Sequence, residues 1–355
     1  MKVTTVLFVI SLTFFGLTRK PADIVVGEPL FSFAADSALE DLGRYLFFDQ
    51  RLSGDGSMSC ASCHDASKSY TDGLPLSKSY PGSDGFRNTK TVLNALRSES
   101  FYWDGRLSGT DPETQVRDAI TETHFMNMDG RLLLERLKQI PMYVQMFESA
   151  YGPGSEPSFG GTLRAIAAFE KTLVTGASPF DTDELSDAAR RGRVLFDDKA
   201  RCASCHSGSD FTDGRAHKTG VPDNKDVFNE PLRHLTFRSF MKAMGVPGYM
   251  DIQTDVGFYT VTKTESDIGA FVTPSLRQVG RTAPYMHNGV LPTLIDVVRH
   301  YNSTSSGELI PLGLTDSEIN DLVAFLESLT GPEPDIQVPT LPRYEMIDNW
   351  LEVPN

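Results

Sequence analysis

Two five-residue stretches, Cys60-Ala61-Ser62-Cys63-His64 and Cys202-Ala203-Ser204-Cys205-His206, constrain this 355-residue chain more than any other feature. Each is a C-x-x-C-H. At that spacing two thiols form thioether bonds to the vinyl groups of a porphyrin, and the adjacent histidine ligates its iron on the proximal side. A single C-x-x-C also suits a redox dithiol or half of a zinc site. Here the same pentapeptide occurs twice and uses all four cysteines of the chain. With no thiol left over, zinc and a disulfide framework fit poorly, and the pattern predicts two covalently bound c-type haems.

The sequence around the two motifs repeats. Gly43-Arg44-Tyr45-Leu46-Phe47 precedes the first and Gly192-Arg193-Val194-Leu195-Phe196 the second. Leu39, Leu42, Leu46 and Phe47 recur at helical spacing, which predicts a helix capped by Asp36 or Ser37 and ending at Asp49. A second echo closes each half. Ala165 to Val174 resembles Asp321 to Leu329, each an amphipathic helix followed by a glycine, Gly176 or Gly331. Helix, haem motif, long loop, helix is the plan of a small cytochrome c. The fold class expected is mainly α, with two tandem cytochrome c-like domains at 35–178 and 179–331 joined by the turn-rich Gly176–Asp183. An arm with five prolines, 332–355, contains Trp350.

The first residues read as an export signal, 1–22. Lys2 is followed by an apolar run, Val3 to Leu17, and then by Arg19 and Lys20. No small-x-small cleavage site follows, so an uncleaved anchor stays open. No cysteine precedes Cys60, which excludes a lipid-modified one. No membrane span beyond the signal is expected. Periplasmic location fits c-type haem, which is attached outside the bacterial cytoplasm. The net charge of −14 argues against nucleic acid and suits a basic partner protein.

The second axial position decides whether a haem carries electrons or does chemistry. His64 and His206 occupy one position each. No histidine lies between His64 and His124, so the first iron is expected to be open or water-bound, with Met126, Met128 and His124 as possible ligands and Met58 poorly placed. For the second iron, Met286, His287, His300 and Tyr301 are all candidates.

Arg87-Asn88, Tyr102-Trp103-Asp104-Gly105-Arg106 and Thr282-Ala283-Pro284-Tyr285-Met286-His287-Asn288-Gly289, with the helix after Pro292, add a further pattern. With the paired haem motifs, they make Asp36 to Gly331 resemble the bacterial di-haem cytochrome c peroxidase superfamily. The match is to its MauG-like branch, with the MbnH-like group as one possibility within it. The resemblance implies that Trp103 relays electrons between the haems. It implies a calcium ion between them, held by Asn88, Thr282 and Pro284, an oxygen-rich set suited to a hard cation. It implies that Tyr301, seventeen residues after Pro284, is the second haem's distal ligand where other members carry methionine. Tyr80 stands where reductively activated members place a blocking histidine. Gln115 matches the distal glutamine, Ala119 the distal proline, and Phe125 the distal glutamate. His124 or Glu122 is then expected to move the proton that peroxide cleavage needs.

The activity implied is that of a periplasmic oxidoreductase. Hydrogen peroxide reacts at the His64 haem, a high-valent state is shared through Trp103 with the His206/Tyr301 haem, and a residue of a partner protein, a tryptophan in the relatives, is oxidised. Two alternatives stand beside it. One is a peroxidase drawing electrons from a small redox protein, and the other is a di-haem electron carrier without catalysis.

Overall fold

Helix α1 (Ser32–Phe48) carries Leu42, Leu46 and Phe47 on one stripe, and all three are completely buried. The computed structural model describes residues 32–306 and 308–344, so the export segment and Trp350 lie outside it. α1 begins four residues before Asp36, which therefore sits inside the helix and not at its cap. No glycine or proline interrupts Ser32 to Ala35, and nothing there stops helix propagation.

Besides a single turn at Cys60–Cys63, four longer helices follow in the first half among the described residues: α2 (Pro112–Thr121), α3 (Gly130–Lys138), α4 (Pro141–Tyr151) and α5 (Phe159–Thr172). Their starts follow from local chemistry. Asp111 accepts from the Thr114 amide with Pro112 in the first turn, Asp129 accepts from two amides, and Ser158 accepts from Gly161. Val116, Ile120, Leu133, Leu137, Phe147 and Phe169 form the core with α1. Each such side chain contributes about 1.5–3 kcal/mol on burial.

The second half holds α6 (Asp187–Asp197), α7 (Pro231–Ala243), α8 (Leu294–Ser303) and α9 (Asp316–Glu327). Reciprocal capping boxes, Thr293 with Asp296 and Thr315 with Glu318, start α8 and α9. Phe196, Phe211, Leu322 and Phe325 centre its core. Helix α7 instead packs Phe237 and Met241 against Leu76 and Phe86 of the first half.

The echo in the sequence is an echo in packing. A β-carbon on Gly43 would lie 1.9 Å from the Ala165 carbonyl oxygen, and one on Gly192 would lie 1.9 Å from that of Asp321. In each half a glycine lets the helix before the haem motif touch the backbone of the closing helix. Strands are few. β1 (Ser100–Phe101) pairs antiparallel with β2 (Leu107–Ser108), bracketing Trp103, and β3 (Ala216–His217) pairs antiparallel with β4 (Phe271–Val272). The Val272 amide donates to the Trp103 carbonyl at 2.9 Å, tying the W-D-G-R loop to the second half. The chain after α9 returns over the first half, where Gln337 and Pro342 carbonyls accept from Arg44 and Arg51.

Candidate functional site

The two motif histidines are held alike. His64 Nδ1 is 3.1 Å from the Tyr70 carbonyl oxygen, and His206 Nδ1 is 2.9 Å from that of Phe211. A carbonyl only accepts, so each Nδ1 carries the hydrogen and each Nε2 keeps its lone pair. This is the tautomer that binds iron. Tyr70 and Phe211 both adopt positive φ, 56° and 53°, to aim these carbonyls. Such strain in a non-glycine residue, repeated at two equivalent places, marks them as functional supports. No sequence signal singled them out.

The thiols fit the same group. Burial pushes Cys63 and Cys202 up to about 12 and Cys60 higher still. Zinc needs thiolates, which this environment opposes, whereas thioether bonds carry no charge. Both motifs open onto one cavity of about 770 Å³ whose walls come from both halves.

On the His64 side, Gln115 and Ala119, one turn apart on α2, face the cavity together with His124 and Phe125. The His124 ring lies 4.2 Å from Phe125 and 5.6 Å from Phe240 of α7, ring centre to ring centre. Burial, with the charges of Arg106 and Arg87, lowers His124 to about 4, so the imidazole is neutral at pH 7 and can accept a proton. Glu122 sits 3.5 Å from His124 Nδ1 but is half exposed and does not line the cavity. Burial, and not this carboxylate, dominates His124. Tyr80 is absent from the cavity wall, and its ring packs close to Gly54. Met58 and Met126 reach the wall, while Met128 does not and lies 3.9 Å from an Arg136 nitrogen.

On the His206 side, α8 presents Tyr301 to the cavity. His300 next to it is already engaged. Its Nε2 donates to the Thr219 carbonyl at 2.8 Å, so Nδ1 accepts from the Thr304 hydroxyl at 3.2 Å. His287 stacks on Phe271 at 3.6 Å, is buried, and is lowered to about 4. Of the four candidates, His300 has no nitrogen left for iron. Tyr301, Met286 and His287 line the wall. Burial raises the Tyr301 phenol, which stays neutral unless a strong cation meets it.

Trp103 also lines the cavity. Its Nε1 donates to the Asn88 carbonyl at 2.9 Å, and the Asn88 amide donates to the His287 carbonyl at 2.7 Å. Asn88 Nδ2 donates to the Leu74 carbonyl at 2.8 Å, which leaves Oδ1 for another partner. Asn88, Thr282 and Pro284 all border the cavity. Beneath them Arg87 bridges Asp104 and Asp255, each at 2.6 Å, and Arg106 also holds Asp104 at 3.0 Å. This buried network fixes the W-D-G-R loop. Its Asp255 member, 168 residues from Arg87, and the Phe240 wall of the first pocket left no local signature.

A family model described as di-haem cytochrome c peroxidase matches residues 37–190. The chain is 44% identical over 322 residues to a cytochrome-c peroxidase, IdrP2, of Denitromonas iodatirespirans, covering 88% of this chain and 87% of that one. It is 36% identical over 315 residues to the methylamine utilization protein MauG of Methylorubrum extorquens, covering 85% and 80%. Among solved structures, a MauG-like protein associated with microbial copper homeostasis superposes with a TM-score of 0.70 at 26% identity, covering 83% and 89%. With both haem motifs, their histidine supports and the shared cavity in place, the chain belongs to the di-haem cytochrome c peroxidase and MauG family of peroxide-dependent oxidoreductases, whose cofactors are two c-type haems.

Proposed function

We propose that hydrogen peroxide is reduced on the His64 side of the cavity with electrons drawn through Trp103 and the His206 side. Their source is a tryptophan of a partner protein that enters neither pocket. The balance is simple: the O–O bond breaks, two electrons and two protons are taken up, and two waters leave. Haem, when bound, supplies the iron that binds peroxide and the redox couple that takes up its oxidising equivalents. The chain supplies the rest. Residues 35–178 and 179–331 act as two cytochrome c-like domains, each anchoring one haem through its cysteines and histidine. Gln115 orients peroxide and neutral His124 accepts its proton, with Glu122 behind. Tyr301 closes the second site. Asn88, Thr282 and Pro284 hold calcium beside the relay. The protein works in the periplasm after export through residues 1–22, and among the described residues no helix is long and apolar enough to cross a membrane.

The observation that carries this reading is the position of Tyr80. Where the resemblance places a blocking histidine, this side chain packs by Gly54 and contributes nothing to the cavity wall. The first pocket is then ready for peroxide without prior reduction. A second reading, a peroxidase fed by a small redox protein, draws on relatives such as IdrP2 that are named cytochrome-c peroxidases.

Optical and EPR spectroscopy of the diferric holoprotein, before and after peroxide and with no reductant, tests both. One high-spin and one low-spin signal, both lost on adding peroxide, support the leading reading. Reaction only after half-reduction, with fast oxidation of a small cytochrome, would replace it with the second. Two low-spin signals inert to peroxide would sink both and leave an electron carrier.

A further inference from the structure

Ser69 and Tyr70 both adopt positive φ, 53° and 56°, although neither is glycine. Two consecutive residues in that region persist only where their surroundings hold them. Their turn matters because the Tyr70 carbonyl, 3.1 Å from His64 Nδ1, fixes the proximal histidine of the first haem. The Tyr70 side chain gives the turn no polar anchor, since its buried hydroxyl has no hydrogen-bond partner among the described residues. The Tyr70 amide donates to the Asp65 carbonyl inside the same loop. The polar anchors from outside the loop are on Ser69. Its carbonyl accepts from the Thr91 hydroxyl at 2.6 Å, and its hydroxyl donates to Glu333 Oε1 at 2.6 Å, 264 residues along the chain.

Glu333 is itself held firmly. It lies between Pro332 and Pro334, whose rings fix φ on either side of it. The Pro332 carbonyl accepts from the Gly176 amide at 2.8 Å, and the Gly331 amide donates to Oε1 of the buried Gln278 at 2.6 Å. Glu333 Oε1 also accepts from Gln278 Nε2 at 3.2 Å and lies 3.4 Å from an Arg281 nitrogen. None of Ser69, Tyr70, Gln278 and Glu333 borders the cavity, so this anchor is made within the protein. The equivalent loop of the second half, which ends at Phe211, is held differently. There the Arg277 guanidinium donates to the Ser209 carbonyl at 2.7 and 2.9 Å.

We propose that Glu333 is a positioning residue for the first haem, holding the Ser69–Tyr70 turn so that the Tyr70 carbonyl stays on His64 Nδ1. This rests on His64 holding the haem at which peroxide reacts. A hydrogen bond from Nδ1 makes the imidazole a stronger donor to iron, which favours the oxidised metal. Freed from Glu333, the turn relaxes towards negative φ and the carbonyl turns away. His64 then donates less, and the first haem becomes easier to reduce and harder to oxidise. The C-terminal arm thereby tunes the first haem and leaves the second alone.

The test is a spectroelectrochemical titration of the holoprotein. It involves no peroxide, so its failure is distinct from failure of the peroxide reading. Glu333→Ala and Ser69→Ala are each expected to shift the first haem about tenfold towards the reduced form, about 59 mV in midpoint potential, with the second haem unmoved. Resonance Raman spectroscopy should show the iron–histidine band of the reduced first haem moving to lower frequency in both. Glu333→Gln keeps an acceptor oxygen but no charge, and is expected to restore the native potential. If the Gln and Ala variants rise equally while Ser69→Ala stays native, the lost charge is the cause and the proposal falls. Native values in both Ala variants, or equal shifts of the two haems, would overturn it as well. If Glu333→Ala does not fold, Ser69→Ala decides.

Discussion

Gly192 approaches Asp321 so closely that a β-carbon on the glycine would stand 1.9 Å from the aspartate's carbonyl oxygen. The first half repeats this contact with Gly43 and Ala165. Overpacking a site that cannot open costs about 1–3 kcal/mol or more. Gly192→Ala and Gly43→Ala should each lower the melting temperature by a few degrees, with the haem content of the folded protein unchanged. A melting temperature equal to the native value in either variant would show that the helices can move apart at no cost, and that the glycine echo is incidental.

Tyr102 has a buried hydroxyl with no hydrogen-bond partner among the described residues. Its ring is held by the Arg106 guanidinium, 3.4 Å above its centre, and by stacking with Phe125 at 6.0 Å. Phenylalanine would keep both ring contacts and remove the unsatisfied group, whose burial costs about 1–3 kcal/mol. Tyr102→Phe should therefore be more stable than the native holoprotein, by about 1 kcal/mol in denaturant unfolding. A loss of the same size would mean that the hydroxyl finds a partner once the cavity is filled.

Much of this site was legible because its chemistry is local. Two thioether bonds and an adjacent ligand need five consecutive residues, so Cys60–His64 and Cys202–His206 announce themselves. The glycine-centred echo was also readable, although its cause, a helix touching a carbonyl, emerged only from the packing. The lining of the first pocket was not readable. Phe240 reaches His124 from a helix more than a hundred residues away, and Asp255 meets Arg87 across a similar separation. Long-range pairing leaves no period or motif in either segment. His300 illustrates the converse: spacing alone could not remove it from the ligand candidates, but its two occupied nitrogens do.

His124 titrates low because it is buried beside Arg106 and Arg87. Its folded value of about 4 lies below the unfolded value near 6.5, so the unfolded chain binds more protons between those limits. The stability contributed by neutral His124 is present above about pH 6.5 and is lost as pH falls towards 4. The shift is worth roughly 3 kcal/mol. His124→Gln should flatten stability against pH in that window. Its rate of peroxide reaction should also fall about 10²–10⁴-fold, the usual contribution of a positioned acid–base group. In the native enzyme that rate should hold from pH 8 to 5 and decline near 4. A native profile that turns near 6.5 would remove His124 as the proton acceptor.

Tyr301 reaches the second site from α8 while its neighbour His300 is anchored to Thr219. A phenol raised by burial ionises only against a strong positive charge, which is what an axial position offers. Methionine there favours the reduced iron, so Tyr301→Met should raise the midpoint potential of the second haem by about 0.1 V or more, within the roughly 0.8 V span that axial ligands cover. It should also abolish reaction with peroxide in the absence of a reductant. Tyr301→Phe supplies no ligand atom, and the second haem should turn high-spin by EPR. If its low-spin signal survives, Met286 or His287 is the ligand, and the phenol is a wall residue whose removal leaves the potential nearly unchanged.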